Sequence, residues 1–330
     1  MAKFVEANIA DQNFARITID AGRIAAVEAL GAIRPEAPFC SGGFSFGKPL
    51  DWRKWPVRMW TQNMPENVTR FVVGKLAVGV FPSKAALGAA AAQDAASIVR
   101  DAVARKGRAR IIVGTGSSQL DFVQSLVTIP GVPWNAVEAF HLDAYVGMPA
   151  SHPASFQLWL RTRFQEIVKP AVVHYLAGDA EDIDQECARY TALLTSAPID
   201  VCFLGIGENG HIAFNDPHVA DFADPLAVKR VRLDRPCRMQ QVGEGHFARF
   251  EDVPEEALTL TCSALLGCEH LVCSVPEKRK AEAVKRALEG PVTTECPGSI
   301  LRTHPQACVY LDPDSASLLS PETRRRQAAG

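Results

Sequence analysis

The sequence lacks an excess of either charge. Its 35 Lys and Arg face 37 Asp and Glu, for a formal net charge of −2. Bulk charge therefore points neither to nucleic acid nor to an anionic membrane as a partner. It lacks a run long and apolar enough to span a bilayer, and Met1 to Ala10 carries one Lys and no signal-peptide core. It lacks an internal repeat and any C-x-x-C pair. The nine cysteines (Cys40, Cys187, Cys202, Cys237, Cys262, Cys268, Cys273, Cys296 and Cys308) are scattered. That spacing fits neither a disulfide framework nor a zinc site. Cys202, Cys273 and Cys308 fall inside apolar runs, as reduced core thiols of a cytoplasmic protein would.

What is present is enough apolar residue, 47%, to build a sizeable core in a chain of 330 residues. The start differs from the rest. "ARITID" and "RIAAVEAL" alternate apolar and polar residues around Ala21-Gly22, a hairpin signal. An irregular stretch rich in Gly and aromatic residues, "CSGGFSFGKPLDWRKWP", follows. Residues 1–55 read as an appended hairpin and linker or as an unusual edge of the main sheet, residues 56–314 as the main domain, and residues 315–330 as a polar tail in which Arg324 to Arg326 form a solvated, frayed end.

From Phe71 the pattern is α/β. "RFVVGKLAVGVF" is extended, and Ser83 caps an Ala-rich helix reaching about Arg105. Strands are expected in "ARIIV", "VEAFHLDAY", "IDVCFLG", "EHLVCSV" and "ACVYLD". Helices are expected in "PASFQLWLRTRFQEIV" and "EKRKAEAVKRALEG". "ALTLTCSALLG" is ambiguous. β-Branched strands alternating with helices predict a doubly wound, mostly parallel sheet covered on both faces. In such a sheet ligands bind beyond the carboxyl ends of the strands, and polar clusters stand at three of those ends.

"VGTGSSQL" offers Gly114 and Gly116 for close backbone approach and hydroxyls from Thr115, Ser117 and Ser118, at the start of a helix. It reads either as a phosphate cradle or as a Ser-capped strand-to-helix turn. "FHLDAYVGM" places Asp143 just past a strand, either as a desolvated base or as an Asp capping a turn. "GIGENGHIAFNDP" crowds Gly207, Asn209, His211 and Asp216 after the apolar run Val201–Leu204. A carboxylate on one ring nitrogen would fix the tautomer and leave the other for proton transfer. The alternative is a satisfied histidine in a polar turn. Lys280, near the start of a helix, opposes the helix dipole; it either neutralises a bound phosphate or is a solvated helix lysine.

Together the stretches "GTGSSQ", "FHLDAYVGMPASHPASF", "LGIGENGHIAFNDP" and "AVKRALEGPVTTECPGSILRTHP" resemble the glucosamine-6-phosphate deaminase/isomerase family, which shares its fold with 6-phosphogluconolactonases. The resemblance implies a phosphate-binding turn at Thr115 to Ser118 and a phosphate-contacting lysine at Lys280. It implies a proton-moving base at Asp143, a ring-opening histidine at His211 and its polarising carboxylate at Asp216. The implied reaction opens an amino-sugar phosphate ring, shifts a proton between C2 and C1, and releases ammonia. No metal or organic cofactor is implied, the partner is a small sugar phosphate, and a homo-oligomer is allowed.

Three positions depart from the family pattern. Asn209 stands where an Asp is usual, which predicts a weaker base at His211. Ala144 stands where an acid is usual. "CRMQQVGEG" offers Arg238 and Gln241 where an arginine would grip phosphate. The departures keep two alternatives in view, a lactonase-type hydrolase and a non-catalytic sugar-phosphate sensor.

Overall fold

The computed structural model describes the strand segments 3–8, 14–20 and 23–29 and the whole of residues 68–325. The chain divides into two compact units, Met1–Asp51 and Trp52–Gly330. In the first, β1 (Lys3–Asn8), β2 (Phe14–Asp20) and β3 (Arg23–Ala29) form an antiparallel sheet in that order. Asp20 pairs with Arg23 across the expected turn dipeptide. The irregular stretch of residues 40–56 lies outside the described residues.

The second unit is built on an eight-stranded sheet. Its strands are β4 (Thr69–Val73), β5 (Leu76–Val80), β6 (Ala109–Val113), β7 (Val137–His141), β9 (Val172–His174), β10 (Val201–Leu204), β13 (His270–Val275) and β14 (Ala307–Leu311). They lie in the order β4-β5-β14-β13-β10-β6-β7-β9, and only the β4–β5 hairpin is antiparallel. Central strands are buried on both faces, so their alternation divides one core from another instead of core from solvent. Ile112, Leu204 and Cys273 belong to one apolar cluster, and Ile111, Val113, Phe203 and Val272 to the other. The second cluster packs under α1 (Lys84–Lys106), whose buried stripe is mainly alanine with Leu87, Ile98 and Val99. Ser83 Oγ accepts the Ala86 N–H at 3.1 Å, the predicted cap, and contributes about 1 kcal/mol.

A smaller antiparallel sheet joins β11 (Val228–Arg232), β12 (Glu256–Leu260) and β8 (Asp143–Tyr145). It corrects the single strand expected over "VEAFHLDAY". That run breaks at Leu142, whose carbonyl accepts the Leu260 N–H. The chain then changes sheets, with Asp143 paired to Thr259 and Tyr145 to Ala257. The ambiguous "ALTLTCSALLG" becomes β12 followed by α7 (Cys262–Leu266), capped by Thr261. The helix expected after Pro153 runs from Phe156 to Val168 through a π turn at Arg161–Gln165. At the chain end, residues 321–324 form a helical turn capped by Ser320. The Arg324 guanidinium donates to the Ala316 carbonyl, so this residue is anchored rather than frayed.

Candidate active site

The order β13-β10-β6-β7 brings four loops side by side at the carboxyl ends of the sheet. From β6 the chain moves to β7 on one side, and β10 later pairs on the other. That reversal opens a crevice between β6 and β10. Here lies a cleft of about 530 Å³, lined by Thr115, Gly116, Ser117 and Ser118 after β6 and by Asp143 after β7. Gly207 and His211 after β10, and Lys280 after β13, complete the polar wall.

Two cleft loops carry backbone strain. Ala213, in "HIAFN", has φ +50, and Glu277, three residues before Lys280, has φ +81. Left-handed non-glycine residues cost about 1–2 kcal/mol each, so the surroundings must hold them. Asn215 Nδ2 spans from the Ile212 carbonyl to the Leu260 carbonyl, and Thr259 Oγ1 takes the Phe214 N–H. The Glu277 N–H is held by Asp312 Oδ2 at 3.0 Å.

Asp143 and His211 face the same cleft, and each residue is only 7% exposed. Burial pushes the Asp143 carboxyl up to about 7. His211 Nδ1 lies 3.1 Å from Asp216 Oδ1, close enough for an ion pair, although the ring N–H is not aligned as a hydrogen bond. Asp216 is wholly buried. Burial alone would raise its carboxyl, but His211, the Asp234 N–H and the Asn209 amide outweigh it and hold the group below its ordinary range. Gly207 makes room for the imidazole: a Cβ there would stand 2.2 Å from His211 Nε2.

Asn209 makes no hydrogen bond to the ring. Its Nδ2 donates to Asp216 Oδ1 at 2.9 Å and to Asp234 Oδ2 at 3.0 Å, and its Oδ1 accepts the His211 N–H. The negative charge beside the imidazole comes from Asp216, so the absence of an acid at 209 does not strip the histidine of its partner. Ala144 is likewise no vacancy in the cleft. It alternates away from Asp143 and packs in the apolar cluster with Leu176 and Leu258.

The rest of the cleft wall carries the glycine-serine turn and Lys280. Gly116 has φ +96, which admits glycine and starts the 3-10 turn Ser117–Gln119. Thr115 Oγ1 is buried without a hydrogen-bond partner. Lys280 is 2% exposed and its ammonium is held down by burial, so it is not a solvated lysine. Two expected contacts fall elsewhere. Gly114 packs strand against strand: a Cβ there would meet the Phe203 carbonyl oxygen at 2.6 Å. Arg238 does not line the cleft. Its guanidinium stacks 4.2 Å from the centre of the Phe250 ring and donates to the carbonyls of Phe250 and Val253.

Apart from Gln241, which the sequence had marked, sequence reasoning missed the wall supplied by α6 (Arg235–Gly243) and the residue after it. Gln240, Gln241 and Glu244 line the cleft, and Gln241 Oε1 accepts the Tyr145 hydroxyl at 2.7 Å. Arg279, the residue before Lys280, donates to Ser117 Oγ at 3.0 Å. The signal for this wall was weak, since "QQVGEG" has no spacing that marks a site.

A buried carboxylate and a carboxylate-backed imidazole open with a buried lysine on one crevice of a doubly wound α/β sheet, an arrangement suited to acid–base chemistry. The family model for glucosamine-6-phosphate isomerases/6-phosphogluconolactonase matches residues 82–310. A glucosamine-6-phosphate deaminase of Exiguobacterium sibiricum is 36% identical over 189 residues, covering 57% of this chain and 73% of that one. One from Geobacillus sp. is 34% identical over 239 residues, covering 71% and 93%. The solved structure of a monomeric glucosamine-6-phosphate deaminase superposes with a TM-score of 0.68 at 28% identity, covering 73% of this chain and 99% of the other. A 6-phosphogluconolactonase of Trypanosoma cruzi shares the fold, with a TM-score of 0.62 at 16% identity over 76% of this chain and 99% of its own. The chain belongs to the glucosamine-6-phosphate isomerase/6-phosphogluconolactonase family.

Proposed function

We propose that the chain is an aldose–ketose isomerase/deaminase of amino-sugar phosphates, acting on glucosamine 6-phosphate or a close relative. The observation that carries the reading is the pairing of Asp143 and His211 in one cleft, the first desolvated and the second backed by Asp216. His211 moves a proton at the ring oxygen to open the sugar. Asp143 takes the C2 proton and returns it at C1, turning the aldose amine into a ketose imine. Water then adds at C2 as the C–N bond breaks, so amino sugar and water become ketose phosphate and ammonia. A base with its pKa near the working pH suits the reversible transfer. Thr115 to Ser118 and Lys280 hold the phosphate end.

Residues 56–314 carry this reaction in our reading, and residues 1–55 are an appended extension. Among the described residues no helix is long and apolar enough to cross a membrane. The free cysteines support a reducing, cytoplasmic setting. The test is release of ammonia and ketose phosphate by purified protein over a panel of amino-sugar phosphates. Turnover no greater than that of Asp143→Asn would refute the assignment.

A further inference from the structure

The anionic seat of the cleft is already filled by the protein itself. Glu244 follows α6, and its side chain is 5% exposed. Its Oε2 accepts the Ser117 hydroxyl at 2.7 Å. Its Oε1 accepts Gln240 Nε2 at 2.7 Å and stands 2.8 Å from Arg279 Nη1 and 3.5 Å from Lys280 Nζ. A hydroxyl, a guanidinium and an ammonium converging on one point suit an oxyanion with more than one charge. Burial would raise the Glu244 carboxyl, but His246, Lys280, Ser117 and Arg279 hold it well below the usual carboxylate range, so it is ionised at neutral pH.

A phosphate brought to the same three donors meets that ionised carboxylate in a desolvated rim. Like charges there repel strongly, and the donors satisfied by Glu244 are not free for the ligand. Arg279 offers little surplus charge, because Glu277 Oε2 at 2.7 Å and Glu208 Oε1 at 3.4 Å also draw on it. The carboxylate lies between two exposed glycines, Gly243 and Gly245, with open space where their Cβ atoms would be. We propose that Glu244 is a specificity-determining residue, a built-in competitor for the substrate's phosphate that lowers the preference of the cleft for phosphorylated over unphosphorylated sugars. The inference rests on reading this rim as the phosphate end of the amino-sugar-phosphate site.

Calorimetric titration with inorganic phosphate tests it without turnover. Glu244→Gln keeps the size and removes the charge, and Glu244→Ala removes both. Each is expected to bind phosphate about tenfold more tightly or better, and to lower KM for glucosamine 6-phosphate relative to free glucosamine. The exposed Glu251→Gln is the control and leaves phosphate affinity unchanged. Folded variants that bind phosphate equally or more weakly overturn the proposal and make Glu244 a support for Lys280. Should neither variant fold, a phosphate-soaked crystal of the wild type decides. Glu244 displaced from Lys280 supports competition, and phosphate bound with Glu244 in place overturns it. Tighter phosphate binding without ammonia release would sink the assigned reaction and keep this inference. Turnover with unaltered phosphate affinity would do the reverse.

Discussion

Asn209→Asp restores the acid that the family pattern favours, yet the structure expects it to do harm. The Asn209 amide is a bridge between two carboxylates, 2.9 Å from Asp216 Oδ1 and 3.0 Å from Asp234 Oδ2. Replacing it removes two charge-assisted hydrogen bonds, about 1.5–3 kcal/mol each, and gathers three carboxylates around one point. At 3 Å and an effective dielectric constant of 20 the repulsion approaches about 5 kcal/mol, so the trio retains a proton instead. Because Asn209 and Asp234 are partly solvated, we expect a net loss of about 2–4 kcal/mol at pH 8. The new carboxyl has a folded pKa above its unfolded value. Its protonated form therefore relieves the cost at low pH, and stability falls as pH rises above about 4. Urea melts at pH 5 and pH 8 read this directly. Adding Asp234→Asn returns one carboxamide to the trio, and asparagine also caps the α6 N-terminus that Asp234 now holds through the Cys237 N–H. The double variant should recover about 2 kcal/mol or more of coupling energy. A single variant as stable as wild type at pH 8, or no recovery in the double, would refute the bridge.

Asp143→Asn should lower ammonia release by about 10²–10⁴-fold with the fold retained. In the wild type the acid limb of kcat/KM should fall near pH 7, where burial places the Asp143 carboxyl. The same raised pKa means the wild type loses stability as pH climbs from about 4 toward 7, so Asp143→Asn should be the more stable protein at pH 8 in thermal melts. Gly207→Ala puts a Cβ 2.2 Å from the His211 ring and must push it off Asp216, which should cost about 10²-fold in turnover; near-normal turnover would contradict the placement. Lys280→Met keeps the buried stem and removes the charge, so KM for a phosphorylated substrate should rise about tenfold or more while KM for an unphosphorylated one stays put.

Much of the fold was legible in the sequence because it rests on local signals. Buried strands such as Ile111–Val113 and Val201–Leu204 are β-branched or uniformly apolar, and the long helix opens on a serine that caps it. The motif-bearing loops were legible too, since Asp143, His211 and Lys280 each lie a short way past the carboxyl end of an apolar strand. The small sheet was not, because β8 pairs with β12 across more than a hundred residues. Nothing in "VEAFHLDAY" marks Leu142 as the point where one strand leaves for another sheet. The α6 wall was illegible for a related reason. Gln240 and Glu244 are ordinary helix-surface types, and only tertiary packing turns them inward.

The three departures show why a position-by-position comparison misjudges a site. Read singly, Ala144 and Asn209 are lost acids and Gln241 a lost cation. In the fold, Ala144 points away from the cleft because residues alternate along β8, so an acid there would enter an apolar cluster. The carboxylate missing at 209 has a counterpart at Asp234, 3.0 Å from the Asn209 amide, and the group that contacts His211 is retained at Asp216. The cation missing near Gln241 has only a partial counterpart at Arg279, which donates to Ser117 but is also drawn on by Glu208, Glu244 and Glu277. Glu244 alone has no such offset. It adds negative charge where the reaction brings more, and so it is the residue on which substrate preference turns.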